Sequence, residues 1–119
     1  MEINYKVWLE EDGAVLFGKG REELLEAIDE LRTLSGAAKR LEMSYRAAWG
    51  RLRASEKRLG FKLVEQDPRR RIMSLTADGK ELLRCYKVLR EEMSAFLNEA
   101  TPRIFGGLRQ NFPGRKNKV

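Results

Sequence analysis

The sequence contains no histidine and a single cysteine, Cys85. Without histidine there is no Ser-His or Cys-His couple to activate a nucleophile. One thiol can neither close an internal disulfide nor build a thiolate zinc site. Cys85 precedes Tyr86 in a helical apolar pattern and reads as a packing residue. Long apolar runs are lacking too, and a membrane-spanning helix needs about 20 such residues. Met1-Glu2-Ile3-Asn4-Tyr5 has neither the basic start nor the apolar stretch of a secretory signal, so a cytoplasmic location is expected. No glycine-rich phosphate loop and no acidic metal cluster is evident. No catalytic residue, cofactor or metal is therefore expected, and an enzyme is the least favoured class.

What is present is charge. Charged residues make up 35% of the 119, hydrophobic ones 42%, and the net charge is +6. The length fits one domain. The charge is uneven: residues 1–32 are net acidic, 33–75 strongly basic and 76–119 mildly basic. A basic block in mid-chain suits a polyanion such as nucleic acid.

Apolar spacing then divides the chain. Tyr5 to Phe17 reads as a β-hairpin turning at Glu11-Asp12-Gly13. Arg21 to Leu34 reads as an amphipathic helix on Leu24, Leu25, Ile28 and Leu31, with Glu22, Glu23, Glu26, Asp29 and Glu30 on the other face. Ser35 is placed to cap a short helix over 36–41, and Ser44 to cap a third helix ending near Leu59, before Gly60. Phe61 to Leu75 forms a second hairpin turning at Asp67-Pro68-Arg69-Arg70. Thr76 caps a long helix expected to reach about Ala100, before Pro102. Residues 1–100 thus form the domain, and 101–119 a basic, largely irregular tail.

The fold class this implies is α+β, mainly α: a winged helix-turn-helix with an N-terminal β-hairpin and a long C-terminal dimerisation helix. Ala37, Ala38, Ala47 and Ala48 supply the small residues that a steep helix crossing needs, above Leu41, Met43 and Leu52. On the third helix, Ala48, Leu52, Ser55 and Leu59 form the inward stripe. Tyr45, Arg46, Trp49 and Arg53 fall opposite, near the end that meets base edges in such motifs. Arginine can donate two hydrogen bonds to guanine in the major groove. Ser35 and Ser44 are placed to contact phosphate. Arg69, Arg70 and Arg71 form a wing tip suited to phosphates or a minor groove. Trp49 has a second reading as a core residue. Leu82, Tyr86, Leu89, Met93, Phe96 and Ala100 step by fours and threes, a seam of the coiled-coil type that predicts a homodimer.

The stretch Ser35 to Trp49, with Ser44-Tyr45-Arg46-Ala47-Ala48-Trp49 its most specific part, resembles the helix-turn-helix of ModE-type, molybdate-responsive transcription regulators. Leu63-Val64-Glu65 and Leu75-Thr76 with Gly79 fit the same resemblance. The latter pattern is also similar to the DNA-binding domains of LysR-type regulators. The resemblance covers about residues 5–98. It implies double-stranded DNA as partner and dimerisation through the long helix. Full-length ModE-type members carry C-terminal molybdate-binding domains, and none is expected within these 119 residues. The wing departs from the glycine-rich form frequent in that family, and Glu42 stands where such turns often have glycine. The competing reading is a winged-helix interaction module that heterodimerises with a full-length regulator.

Overall fold

A computed structural model describes residues 2–111; the expected basic end at Arg115-Lys116-Asn117-Lys118 lies outside the described residues. The order is β1 (Leu9–Glu11), β2 (Ala14–Phe17), α1 (Lys19–Leu31), α2 (Leu34–Arg40), α3 (Tyr45–Leu59), β3 (Val64–Asp67), β4 (Ile72–Leu75) and α4 (Ala77–Phe105). A 3-10 helix, Gly106–Asn111, follows. The strands form two separate antiparallel hairpins, β1-β2 and β3-β4. The expected α+β, mainly helical winged helix-turn-helix is the fold observed.

The core gathers where α1, α3, β2 and the β3-β4 wing converge. Phe17, Leu24, Leu25, Ile28, Leu52 and Leu63 have no exposed surface. Ala37, Ala38 and Ala48 are buried at the α2-α3 crossing as expected. Ala47 is exposed instead, because it lies one residue round α3 from the inward stripe. The Phe17 and Tyr86 rings meet edge to face at 5.2 Å, which fastens the first hairpin to α4.

Several boundaries move. The α1-α2 junction comes three residues early: Arg32 takes a left-handed conformation and its N–H closes on the Ile28 carbonyl. Thr33, not Ser35, then caps α2, its hydroxyl accepting from the Gly36 N–H at 3.1 Å. Leu34 prolongs the apolar spacing of α1, yet it opens α2 and is buried. Ser35 sits inside the first turn of α2, exposed. Helix α4 also runs through Pro102 to Phe105, so the tail is more ordered than expected. Proline removes one N–H from the helix ladder. The Thr101 hydroxyl donates to the Leu97 carbonyl there, and the Gly106 N–H closes on the Pro102 carbonyl.

Two side chains expected on one surface are on another. Glu22 is only 3% exposed and binds Arg90 at 2.6 Å, so it belongs to the α1-α4 contact rather than to the solvated acidic face. Cys85 is exposed rather than packed, its thiol 3.5 Å from a Glu81 carboxylate oxygen.

Only 22 Å across its narrowest axis, the molecule is 64 Å long, because α4 projects beyond the core. Among the described residues no helix is long and apolar enough to cross a membrane.

Gly79 lies in the first turns of α4 directly against the Leu63 carbonyl, with no room for a methyl group. Gly79→Ala must move either α4 or the wing. It is expected to cost about 1–3 kcal/mol, as overpacking does, and to lower the thermal unfolding midpoint accordingly.

Candidate nucleic-acid interface

The helix-turn-helix is closed by two local devices. At the end of α2 the Met43 N–H reaches back to the Ala38 carbonyl at 3.0 Å, with Glu42 left-handed at φ 55°. This is the αL helix stop that glycine usually fills, so Glu42 holds the turn against a steric cost. Ser44 then caps α3, its Oγ accepting from the Ala47 N–H at 3.0 Å. Gly60, at φ 82°, ends the helix as expected.

The faces of α3 separate sharply. Ala48, Leu52 and Ser55 point inward, with no exposed surface. The Ser55 hydroxyl accepts from Arg21 Nε at 2.5 Å. Burial lowers the Arg21 pKa, and the nearby guanidiniums of Arg58 and Arg51 lower it further. Arg58 donates to the Val15 carbonyl of β2 at 2.7 Å. Arg51 and Arg58 therefore serve the side of α3 that meets β2 and the start of α1.

Tyr45, 56% exposed, and Arg46, also exposed, stand at the opposite side of the α3 N-terminus. Trp49 combines its two readings: half-buried, it packs against the core and carries the Arg53 guanidinium 4.5 Å from its ring centre. Arg53 also approaches Glu56 at 3.8 Å, so its charge is held along the helix. Arg46 has no such tie among the described residues.

Glycine at position 50, which sequence reasoning passed over, completes this face. Gly50 is exposed in the middle of α3, between Arg46 and Arg53 in helical register, and an added Cβ would meet nothing within 4 Å. Glycine there weakens the helix without any packing reason within the chain. The available signal was a glycine inside a strong helical pattern.

The wing is set by Asp67. Its Oδ1 accepts from the N–H groups of Arg69 and Arg70, and its carbonyl from the Arg71 N–H at 2.8 Å. Arg71 is left-handed at φ 55°. Arg69, Arg70 and Arg71 are all exposed; Arg70 lies 3.8 Å from the Asp67 carboxylate. A small groove of about 160 Å³ joins Thr33, Leu34 and Ser35 at the start of α2 to Tyr45 on α3 and to Gln66, Arg71 and Met73 of the wing. Ser35, Tyr45 and Arg71 thus share one surface.

By contrast, the α4 seam is split. Tyr86 is 2% exposed, and its hydroxyl donates to the Val7 carbonyl at 2.7 Å. Burial raises its pKa, with the Glu22 carboxylate adding to the effect. It belongs to the core of its own chain and is withdrawn from the dimerisation set. Ala100 is buried as well, and Leu82 packs partly on the core. Met93 is half-buried, while Leu89 and Phe96 are exposed, Phe96 to 61%.

Residues 22–80 match the family described as bacterial regulatory helix-turn-helix protein, lysR family. The chain is similar in structure to the CbnR DNA-binding domain solved with DNA, at 26% identity over 71% of this chain and 97% of that one (TM-score 0.55). ArgP from Mycobacterium tuberculosis is similar at 26% identity, over 70% of this chain and 30% of that one (TM-score 0.53). The oxidised form of OxyR from Corynebacterium glutamicum is similar at 27% identity, over 68% and 26% (TM-score 0.52). This chain therefore spans nearly all of an isolated DNA-binding domain but under a third of the longer regulators. No curated protein sequence matches the chain. Over residues 22–80 the chain is therefore similar to the helix-turn-helix DNA-binding domain of LysR-type regulators.

Replacing Gly50 by alanine adds helix propensity without a clash. Gly50→Ala is expected to stabilise the protein by about 0.5–1 kcal/mol, read as a higher midpoint in thermal or urea unfolding.

Proposed function

We propose that this chain is a sequence-specific, double-stranded DNA-binding transcription regulator that acts as a homodimer in the cytoplasm. The observation that carries the DNA reading is the bare face of α3: exposed Tyr45 and Arg46, then Gly50, beside three exposed wing arginines. Gly50 lets a duplex edge approach the helix backbone closely. Arg46 reads a base edge in the major groove, bidentate if the base is guanine. Ser35, Ser44 and Tyr45 contact the backbone beside it, and Trp49 holds Arg53 for a neighbouring contact. Arg69, Arg70 and Arg71 bind phosphates or enter a minor groove, adding affinity with little sequence information. The resemblance of Ser44-Tyr45-Arg46-Ala47-Ala48-Trp49 to ModE-type regulators supports putting the reading residues at that helix start.

Dimerisation rests on α4. Seven residues make two helical turns, so Tyr86 and Met93 lie on one line and Leu89 and Phe96 on the next. The first line faces the core at Tyr86; the second is left to solvent along a projecting helix. Leu89, Met93 and Phe96, with Leu82 at the edge, cover this stripe when a second copy docks. Recognition helices then address half-sites about one helical turn apart.

Arg46→Ala is expected to relax sequence preference by about 1–3 kcal/mol, measured as the ratio of affinities for selected genomic fragments and random duplex across a salt series. An unchanged ratio would remove Arg46 from the reading set. Gly50→Ala, which stabilises the fold, should nevertheless weaken DNA binding. Equal or tighter binding by that variant argues against close approach at α3. Phe96→Asp should convert the dimer to monomer in sedimentation while the circular dichroism melt stays that of a folded domain. A wild-type protein that sediments as a monomer at micromolar concentration would defeat the homodimer.

A further inference from the structure

Between the N-terminal segment, the start of α1 and the middle of α4 lies a cleft of about 460 Å³, lined by Tyr5, Lys6, Val7, Trp8, Lys19, Tyr86 and Arg90. It shares no residue with the α3 face or the wing. Its volume falls in the range of small-ligand sites. Its walls are aromatic and cationic together.

The supports are well tied. The Tyr5 hydroxyl donates to the Arg90 carbonyl at 3.1 Å and pairs with the Ser94 hydroxyl at 2.7 Å. Tyr86 holds the Val7 carbonyl from the other side. Trp8 packs against Gly18, where an added Cβ would lie 3.1 Å from the Trp8 Cβ. The indole remains half exposed, and its N–H donates to Glu10. One edge of the aromatic wall is therefore open to a visitor.

Charge in the cleft is not balanced. Lys6, Lys19 and Arg90 line it, and among the described residues the carboxylate bonded to any of them is that of Glu22, which holds a terminal nitrogen of Arg90 at 2.6 Å. Arg90 Nε is buried and has no hydrogen-bond partner among the described residues. A buried donor without an acceptor is costly. Lys19 is also the first residue of α1, whose cap, Gly18, offers no side-chain acceptor. The uncapped N–H groups and the dipole at that end favour negative charge in the same place.

We propose that this cleft binds a small aromatic carboxylate. The carboxylate lies among Lys6, Lys19 and Arg90, and the ring lies against Trp8 with Tyr5 and Tyr86 behind it. The flat walls account for the ring, and the unbalanced cations for the charge. The site stands independently of the DNA reading.

Isothermal titration of the full chain with benzoate and with salicylate tests this, beside the uncharged benzamide and inorganic phosphate. Both carboxylates are expected to bind saturably, with benzamide and phosphate at least about tenfold weaker. Lys6 and Lys19 are exposed, so the double variant Lys6→Gln/Lys19→Gln keeps its melting temperature and should bind benzoate about tenfold more weakly. Trp8→Ala should weaken benzoate and leave the feeble phosphate binding unchanged. No saturable heat with either carboxylate overturns the proposal, as does unaltered benzoate affinity in both variants. Benzamide binding as tightly as benzoate removes the ionic half. Phosphate binding as tightly as benzoate removes the aromatic half.

Discussion

Leu63 is the point on which the two halves of the helix-turn-helix module depend. Its side chain is fully buried, and its backbone is bonded from both directions. The buried Glu56 carboxylate, on the last turn of α3, accepts from the Leu63 N–H at 2.8 Å and from Val64 at 3.4 Å. The Leu63 carbonyl accepts from the Thr76 N–H at 3.0 Å, and Gly79 presses against that carbonyl. The Thr76 hydroxyl meanwhile donates to the Lys62 carbonyl at 2.6 Å and accepts from the Gly79 N–H at 2.9 Å. One residue thus fixes α3, the wing and the start of α4 to one another. Charge-assisted bonds from a carboxylate that is itself buried tolerate little displacement. The proposed reading surface of α3 and the wing would need that rigidity, since contacts to base edges are decided over fractions of an ångström.

Electrostatics sorts the remaining charges. Many acidic residues of α1 are spent on cations that lie outside the α3 face. Glu22 takes Arg90, Glu26 takes Lys87 at 3.6 Å, and Glu30 takes Arg40 at 2.7 Å. The Arg40 guanidinium bonded to Glu30 holds that carboxylate below its usual pKa. Arg51 and Arg58 lie toward β2 and α1, and Arg53 rests on Trp49. Of the α3 arginines, Arg46 is left without such a tie among the described residues, beside the exposed wing tip. Concentrated charge of this kind directs a polyanion to one orientation, whereas charge spread over the whole molecule would only attract it.

The fold was largely legible because its punctuation is strong. Ser44, Gly60 and Thr76 mark helix ends whose capping groups the structure realises. The apolar spacing of Leu24, Leu25 and Ile28 identified the core face of α1. The misplaced boundary at Ser35 has a simple origin: Thr33 and Ser35 are both competent caps, and Leu34 suits either helix. Backbone geometry at Arg32 made the choice. Pro102 was read as a stop because its ring removes a helix bond, yet α4 absorbs that loss within its exposed end. Glu22, Tyr86 and Cys85 share one lesson. A periodicity names the residues of a face but not what covers it, and the N-terminal segment laid over α4 is a long-range event.

By itself, then, the sequence determined the order of elements, the helix-turn-helix with Ser44 at the start of its third helix, and the two arginine-bearing surfaces. These follow from local rules of capping, spacing and turn chemistry, which act over a few residues. Only the tertiary structure decided that Tyr86 is core and Phe96 is surface, that Arg53 is tethered while Arg46 has no such tie among the described residues, and that Lys6, Lys19 and Arg90 surround one cleft. Those distinctions depend on which segments far apart in the chain come to lie together. Such packing is set by the burial of the whole apolar surface at once.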